Sequence, residues 1–370
     1  MKVGSVKEIK KHEYRVGLTP DNVHEYTARG HEVFIQKGAG EGSSFTDEDY
    51  VGAGAKILAC AAEVWQICDM IVKVKEPLAD EYELMRENQI IYTYLHLAAD
   101  RPLTEALLAK KTRAVAYETI KDARGGLPLL KPMSEVAGKL SVQEGAKCLE
   151  KPQGGRGVLL GGVPGVRRGN VVIIGAGVVG ISAMKIALGM GAAVTILDNN
   201  LDRLSYLDDL YGQQIQTLYS TDIAIENAVT QADLVIGAVL IPGAAAPKLI
   251  KRSYLAKMKT GAVIVDVAVD QGGCAETTRA TYHDDPTFVV DGIVHYCVAN
   301  MPGCVSQTST IALTNATLRY GLMIAGMGLE AAIKADAGLL PGVNCYKGSL
   351  TCEEVAVAFD MKYTDIGTLL

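Results

Sequence analysis

The chain has 370 residues, 49% of them apolar and 21% charged, with a formal net charge of −6. That balance suits a globular protein with two cores, and the absence of a basic cluster argues against nucleic acid or an anionic membrane as partner. Residues 1–20 lack the apolar run of a secretory signal, and the apolar stretch 311–332 is broken by Asn315, Arg319 and Glu330. The expectation is a cytoplasmic protein with no membrane span.

In chain order, residues 2–6 read as a strand. Thr19-Pro20-Asp21 then starts a helix, with threonine as cap and proline in the first turn, ending at Gly30. Residues 32–36 form a second strand. Gly38-Ala39-Gly40-Glu41-Gly42 looks like a ligand loop, but no amphipathic helix follows it directly, so it reads as a strand-to-helix connection. Helices at 46–54, 61–68, 79–87 and 102–110 alternate with strands at 70–74, 89–95 and 113–117. This is the pattern of a doubly wound α/β sheet, in which ligands gather beyond the carboxyl ends of the strands. Lys75 follows one of these strands and His96 the next, so both are expected at the functional edge. Pro77 blocks continuation as a central strand and leaves Lys75 at its mouth.

Residues 134–150 are apolar at helical spacing and bridge to a second domain through a glycine-rich loop, 154–165. The stretch after that loop is the most informative of the chain. Val171 to Ile174 is a continuous β-branched run, as in a strand buried on both faces. It enters Gly175-Ala176-Gly177-Val178-Val179-Gly180, then a helical pattern, then a strand at 194–197 ending on Asp198. Gly175 allows the tight turn, Gly177 lets backbone approach a pyrophosphate, and Gly180 lets helix pack on strand. Asp198 stands where a carboxylate accepts ribose hydroxyls and repels a 2′-phosphate, which selects NAD over NADP. Strands at 215–218, 234–239, 263–267 and 293–298 complete a six-stranded Rossmann domain. A long helix, 308–335, then returns to the first domain, which 348–370 completes.

The eight cysteines at 60, 68, 148, 274, 297, 304, 345 and 352 form no CxxC pair. Neither disulfides nor structural zinc are expected.

Seven stretches carry a resemblance: Glu13-Tyr14-Arg15-Val16, Val74-Lys75-Glu76-Pro77, Tyr94-Leu95-His96-Leu97, Met133-Ser134-Glu135-Val136-Ala137-Gly138, the glycine loop, Asp270-Gln271-Gly272-Gly273 and Tyr296-Cys297-Val298-Ala299-Asn300-Met301-Pro302. With these in order, the chain resembles the bacterial L-alanine dehydrogenases over essentially its whole length. The NAD-binding subunit of transhydrogenase and the saccharopine enzymes are more distant relatives. The resemblance implies reversible, NAD-dependent oxidative deamination of L-alanine to pyruvate and ammonium. It assigns substrate binding to Arg15 and Lys75 and acid/base work to His96 and Asp270. The chemistry agrees: a carboxylate needs a cationic clamp, which a planar arginine fork and a lysine supply. Amine oxidation and imine hydrolysis also need groups that move protons, and histidine titrates near neutrality.

On the cofactor side the resemblance adds Ser134, Asn300 and Asp270 near the nicotinamide end, with Val178 and Val179 in the glycine loop. Ser220, Val239 and Leu240 fall near the adenosine half. Arg203 stands where many members carry lysine. Some members hold magnesium with a glutamate and a histidine; here Glu118 is kept but Met327 replaces the histidine, and a thioether is a poor ligand for a hard cation. No metal is expected. The resemblance also implies a homohexamer, for which helix 308–335 is a candidate contact. The expectation is therefore two doubly wound α/β domains, a discontinuous Rossmann-like substrate domain (1–128 with 306–370) and an NAD-binding Rossmann domain (129–305). Two other readings stay open: a related amino-acid or imine oxidoreductase, and a non-catalytic NAD-binding component like that of transhydrogenase.

Overall fold

Strings of β-branched and aromatic residues bounded by glycine, proline and asparagine give the chain two twisted sheets, each flanked by helices. The computed structural model describes residues 1–239 and 245–370. The chain divides into two compact units, Met1–Met133 with Gly303–Leu370, and Ser134–Pro302.

The first unit has an eight-stranded sheet. Its parallel core runs in space from Arg113–Ala116 through Ile90–Thr93, Met70–Val72, Lys2–Ser5 and Glu32–Gln36 to Lys56–Leu58. Val343–Tyr346 and Ser349–Leu350 extend it antiparallel beyond Arg113–Ala116. Both faces are covered, as a parallel sheet requires. Met70, Val72, Ile90 and Tyr92 face one cluster with Tyr26 and Ile324, whereas Ile71 and Ile91 face another with Trp65, Leu103 and Leu107. Period-two alternation along each strand makes that division.

Among the described residues the second unit has seven strands. Six are parallel, in the order Ile215–Tyr219, Ala193–Asp198, Asn170–Ile174, Leu234–Gly237, Val263–Asp266, Ile293–Tyr296. This is the 3-2-1-4-5-6 order of dinucleotide-binding sheets.

The strands Lys56–Leu58, Val343–Tyr346 and Ser349–Leu350 of the first sheet were not expected from the sequence, and four further elements differ from their sequence reading. The second sheet gains a seventh strand, Thr287–Val290, antiparallel to Ile293–Tyr296. Its turn is Asp291-Gly292, with φ of 49° and 81°, the two-residue hairpin that an Asp-Gly pair between apolar runs encodes. The long helix is two, Ser306–Met327 and Leu329–Ala335, because Gly328 adopts φ 83° and ψ 156°, a conformation that only glycine enters readily. The helix expected over 79–87 is only Ala79–Tyr82. The strand expected over 70–74 stops at Val72, because the amides of Val74 and Lys75 leave the ladder and donate to Glu8 Oε1 at 2.7 and 3.2 Å.

Glu8 also meets Lys73 Nζ at 3.1 Å, and Lys73 meets Glu81 at 2.9 Å, all three side chains being almost wholly buried. Burial pushes the Glu8 carboxyl up, and Lys73 opposes that only in part. Removing the cation would strand two carboxylates out of water. Lys73→Met should therefore lower unfolding stability by about 3–5 kcal/mol in denaturant titration. A loss below ~1 kcal/mol, the range of exposed pairs, would deny the triad this role.

Candidate functional site

In the first unit, three of the predicted residues lie along the carboxyl edge of the sheet. Arg15 is 2% exposed. Glu13 accepts from its Nε at 2.7 Å and Nη2 at 2.6 Å, while Nη1 lies 3.0 Å from Met133 Sδ. A side-on carboxylate pair of this kind fixes the plane of the guanidinium. Burial works against the charge of Arg15, but Glu13 outweighs it and raises the pKa. Lys75, half-buried, goes the other way: burial and then the Arg15 charge hold its ammonium below the ordinary lysine range. Two cations thus share a poorly hydrated neighbourhood.

His96 sits on a left-handed backbone, φ 50° and ψ 37°. Glu118 stabilises that conformation, since its carboxylate accepts from the amides of Leu95 (3.0 Å) and His96 (2.6 Å). The imidazole is half exposed, its Nδ1 lies 3.6 Å from Glu76 Oε2, and the Tyr94 ring is 5.8 Å away between centroids. The other Glu76 oxygen pairs with Lys10. Burial pushes the Glu76 carboxyl up, but the neighbouring His96 imidazole and the Lys10 ammonium win and bring it to about 2.

In the second unit, the predicted cofactor residues follow successive parallel strands at their carboxyl ends. Gly175 comes after Asn170–Ile174, Asp198 ends the next strand, and Ser220 follows Ile215–Tyr219 with its amide 3.0 Å from the Asp198 carbonyl. Val239 follows Leu234–Gly237, whereas Leu240 lies outside the described residues. Arg203, exposed, is in the first turn of the helix Leu201–Tyr211, its amide bound by Asn200 Oδ1 at 3.0 Å. Asn300 follows Ile293–Tyr296 with φ 60°. Ser134 begins the part of helix Lys131–Cys148 that belongs to this unit. One turn on, a Cβ on Gly138 would stand 2.2 Å from the Val179 carbonyl, so that helix crosses close to the glycine loop.

The three loop glycines have different physical causes. Gly175 has φ +103°, and a Cβ on Gly180 would lie 1.8 Å from the Gly175 carbonyl, so both are demanded by the protein itself. Gly177 is different. Its φ is −74°, and a Cβ there would meet nothing within 4 Å. The space it leaves lies at the N-terminus of helix Val178–Gly189, where unpaired amides suit a pyrophosphate. Asp198 reaches back to this loop, accepting from Ala176 N at 2.6 Å with one oxygen and from Asn200 N at 2.8 Å with the other. Loop, helix terminus and acid together fit a dinucleotide.

Asp270 is exposed on a tight turn, Val267–Gln271, after the strand Val263–Asp266. Buried Asp266 anchors the turn, accepting from the amides of Ala268 (3.1 Å), Cys274 (2.8 Å) and Ala275 (3.1 Å) and from Thr278 Oγ1. Among the described residues no group of three or more His, Cys, Asp or Glu is placed to hold a metal ion. Glu118 is engaged by backbone amides, and Met327 is 51% exposed. Among the described residues no helix is long and apolar enough to cross a membrane.

The sequence reading passed over Glu8, Glu13 and Glu76, the carboxylates that hold the edge in place. Two stood within its own motifs, Glu13 two residues before Arg15 and Glu76 beside Lys75.

Family models describe nearly the whole chain: residues 4–137 match the alanine dehydrogenase/PNT N-terminal domain and 141–353 its C-terminal domain. The chain belongs to the alanine dehydrogenase/PNT family. An alanine dehydrogenase of Methanococcus maripaludis is 55% identical over 365 residues, covering 98% of each chain. One of Mycolicibacterium smegmatis is 54% identical over 370 residues, covering 100% of each. A solved L-alanine dehydrogenase superposes with a TM-score of 0.95 at 53% identity, covering 97% of this chain and 99% of the other. A transhydrogenase from Sinorhizobium meliloti shares the fold, with a TM-score of 0.82 at 23% identity over 95% of this chain and 99% of its own.

Two measurements test the geometry. Gly177→Ala should leave the melting temperature unchanged or slightly higher, since alanine fits that backbone, yet weaken NAD binding at least about 10-fold. Gly180→Ala should damage both. Equal NAD affinity in Gly177→Ala would remove the pyrophosphate from that space. Second, a bound carboxylate favours charged Lys75, so pyruvate affinity should fall as pH rises through the lowered lysine pKa. Affinity flat across the alkaline range would exclude Lys75 from the anion site.

Proposed function

We propose that this chain catalyses the reversible oxidative deamination of L-alanine: L-alanine, NAD⁺ and water give pyruvate, ammonium, NADH and a proton. The observation that carries the reading is that Lys75 lies in the field of Arg15, while His96 lies against Glu76, the residue next to Lys75. Glu13 already pairs with Arg15, but burial and the Arg15 charge still disfavour the Lys75 ammonium, and a bound carboxylate would favour it. Relatives named alanine dehydrogenase at 54–55% identity support an amino-acid carboxylate as that anion.

Arg15, fixed by Glu13, orients the carboxylate, and Lys75 supplies the second charge and faces the substrate carbonyl. His96 takes the proton that the amine must lose before hydride can leave Cα, and it serves again as water adds to the imine. The family resemblance also assigns acid/base work to Asp270. In this reading residues 1–128 with 306–370 handle substrate, and residues 129–305 handle NAD. Gly175, Gly177, Val178, Val179 and Gly180 would hold the pyrophosphate, Asp198, Arg203, Ser220, Val239 and Leu240 the adenosine half, and Ser134, Asp270 and Asn300 the nicotinamide end. When bound, NAD⁺ accepts the hydride. The reading includes a cytoplasmic homohexamer. Its support is the family resemblance and the exposed Ile311 and Met327 on helix Ser306–Met327.

The purified protein should reduce NAD⁺ with L-alanine and oxidise NADH with pyruvate and ammonium. His96→Ala should cut turnover by roughly 10²–10⁴ with NAD affinity unchanged. Arg15→Lys should also damage turnover, since the charge stays but the planar fork is lost. NAD binding without pyruvate-dependent NADH oxidation would make the chain a binding component. Activity with another small amino acid and not alanine would make it a related oxidoreductase.

A further inference from the structure

Glu76 has an unusual situation for a carboxylate. It is 8% exposed, and Lys10 engages one of its oxygens. The other, Oε2, is buried, and among the described residues no donor lies within hydrogen-bonding range of it. Buried acceptors in folded proteins are nearly always satisfied, so an orphaned one points to a partner that completes it. The imidazole of His96 stands just outside that range, with Nδ1 at 3.6 Å.

We propose that Glu76 is the positioning residue for His96: Oε2 receives Nδ1–H of the imidazole, leaving Nε2 to exchange the proton with substrate. The assignment rests on the proton-transfer role of His96 in the proposed reaction. Three features make the pair act as a unit. Lys10 fixes the carboxylate from one side, so Oε2 is held still. Glu118 pins the His96 backbone through its amide, so the ring moves only about its own torsions from a fixed origin. Closing a few tenths of an ångström then satisfies Oε2. Working histidines elsewhere show the same division of labour, one nitrogen bound by a carboxylate and the other doing chemistry. The negative charge of Glu76 also steadies the imidazolium that forms when Nε2 takes a proton.

Two rival roles would leave different traces. Glu76 could serve only to anchor Lys10, or only to set its neighbour Lys75. Glu76→Gln keeps the shape and can still accept from Nδ1–H, but it loses the charge, whereas Glu76→Leu loses both. Lys10→Met removes the other partner. Turnover should fall in the order wild type, Glu76→Gln, Glu76→Leu, with Glu76→Gln down by roughly 10–100-fold. KM for L-alanine and for NAD should stay within about 3-fold of wild type, the size of effect expected when ground-state binding is untouched. Lys10→Met leaves the Glu76 charge and shape in place, so it should lower turnover clearly less than Glu76→Gln. Ring-nitrogen NMR, with the His96 signals identified by their loss in His96→Gln, should show Nδ1–H in wild type and Glu76→Gln and a shift towards Nε2–H in Glu76→Leu. Should Glu76→Leu fail to fold, Glu76→Gln and the wild-type tautomer carry the test.

The proposal is overturned by wild-type turnover in Glu76→Gln, by an equal loss in Lys10→Met, by an effect confined to KM, or by Nε2–H in the wild type. A His96→Ala variant with near-normal turnover is a different result, which overturns the proton-transfer reading of His96 itself.

Discussion

The carboxylate of Glu8, buried against Lys73 and bound by the amides of Val74 and Lys75, stops a central strand two residues early and turns the chain out of the sheet. Lys75, Glu76 and Pro77 leave the sheet at that turn. The turn therefore decides where Lys75 meets the charge of Arg15 and where Glu76 meets His96. Arg15 is fixed in the same manner by Glu13, and the His96 backbone by Glu118. Each chemical group in the first unit is thus held by a carboxylate that makes directed, charge-assisted bonds, and such bonds set orientation as well as energy.

The second unit uses the same device on backbone. Asp198 ties the glycine loop through Ala176, and Asp266 gathers the turn that carries Asp270. Lys248 reinforces this, donating to the carbonyls of Gly273 (2.9 Å) and Ala275 (3.1 Å). Because the parallel strands all end on one edge, their loops bring Gly175, Asp198, Ser220, Val239, Asp270 and Asn300 to that edge from positions far apart in sequence. The likeness to the transhydrogenase extends to this architecture. Fold alone does not select a reaction, so the residues at the edge must.

Much of this was legible in the sequence, for physical reasons that can be named. The dinucleotide strand, loop and helix stood out because each glycine answers a separate steric demand, and the demands come in a fixed order. Lys75 and His96 could be set beyond the carboxyl ends of their strands because strand ends are marked by Pro77 and by the end of apolar runs. The Asp291-Gly292 hairpin was also written in the sequence and was missed, its two flanking runs being short and one of them half exposed. The break at Gly328 was hidden because a glycine inside an apolar helical pattern does not by itself declare its φ. The supporting carboxylates were illegible for another reason. A glutamate in a charged segment reads as a solvated surface group, and only tertiary contact reveals Glu8 and Glu13 as buried.

The central claim is that the chain moves hydride from the α-carbon of L-alanine to NAD⁺. Turnover of L-alanine carrying deuterium at Cα tests it most directly, with the NADH product examined by mass spectrometry and NMR. The account predicts one deuterium retained at the nicotinamide C4 position, and slower turnover than with unlabelled alanine when hydride transfer limits the rate. NADH formed without the label, or no NADH formed from L-alanine, would contradict it.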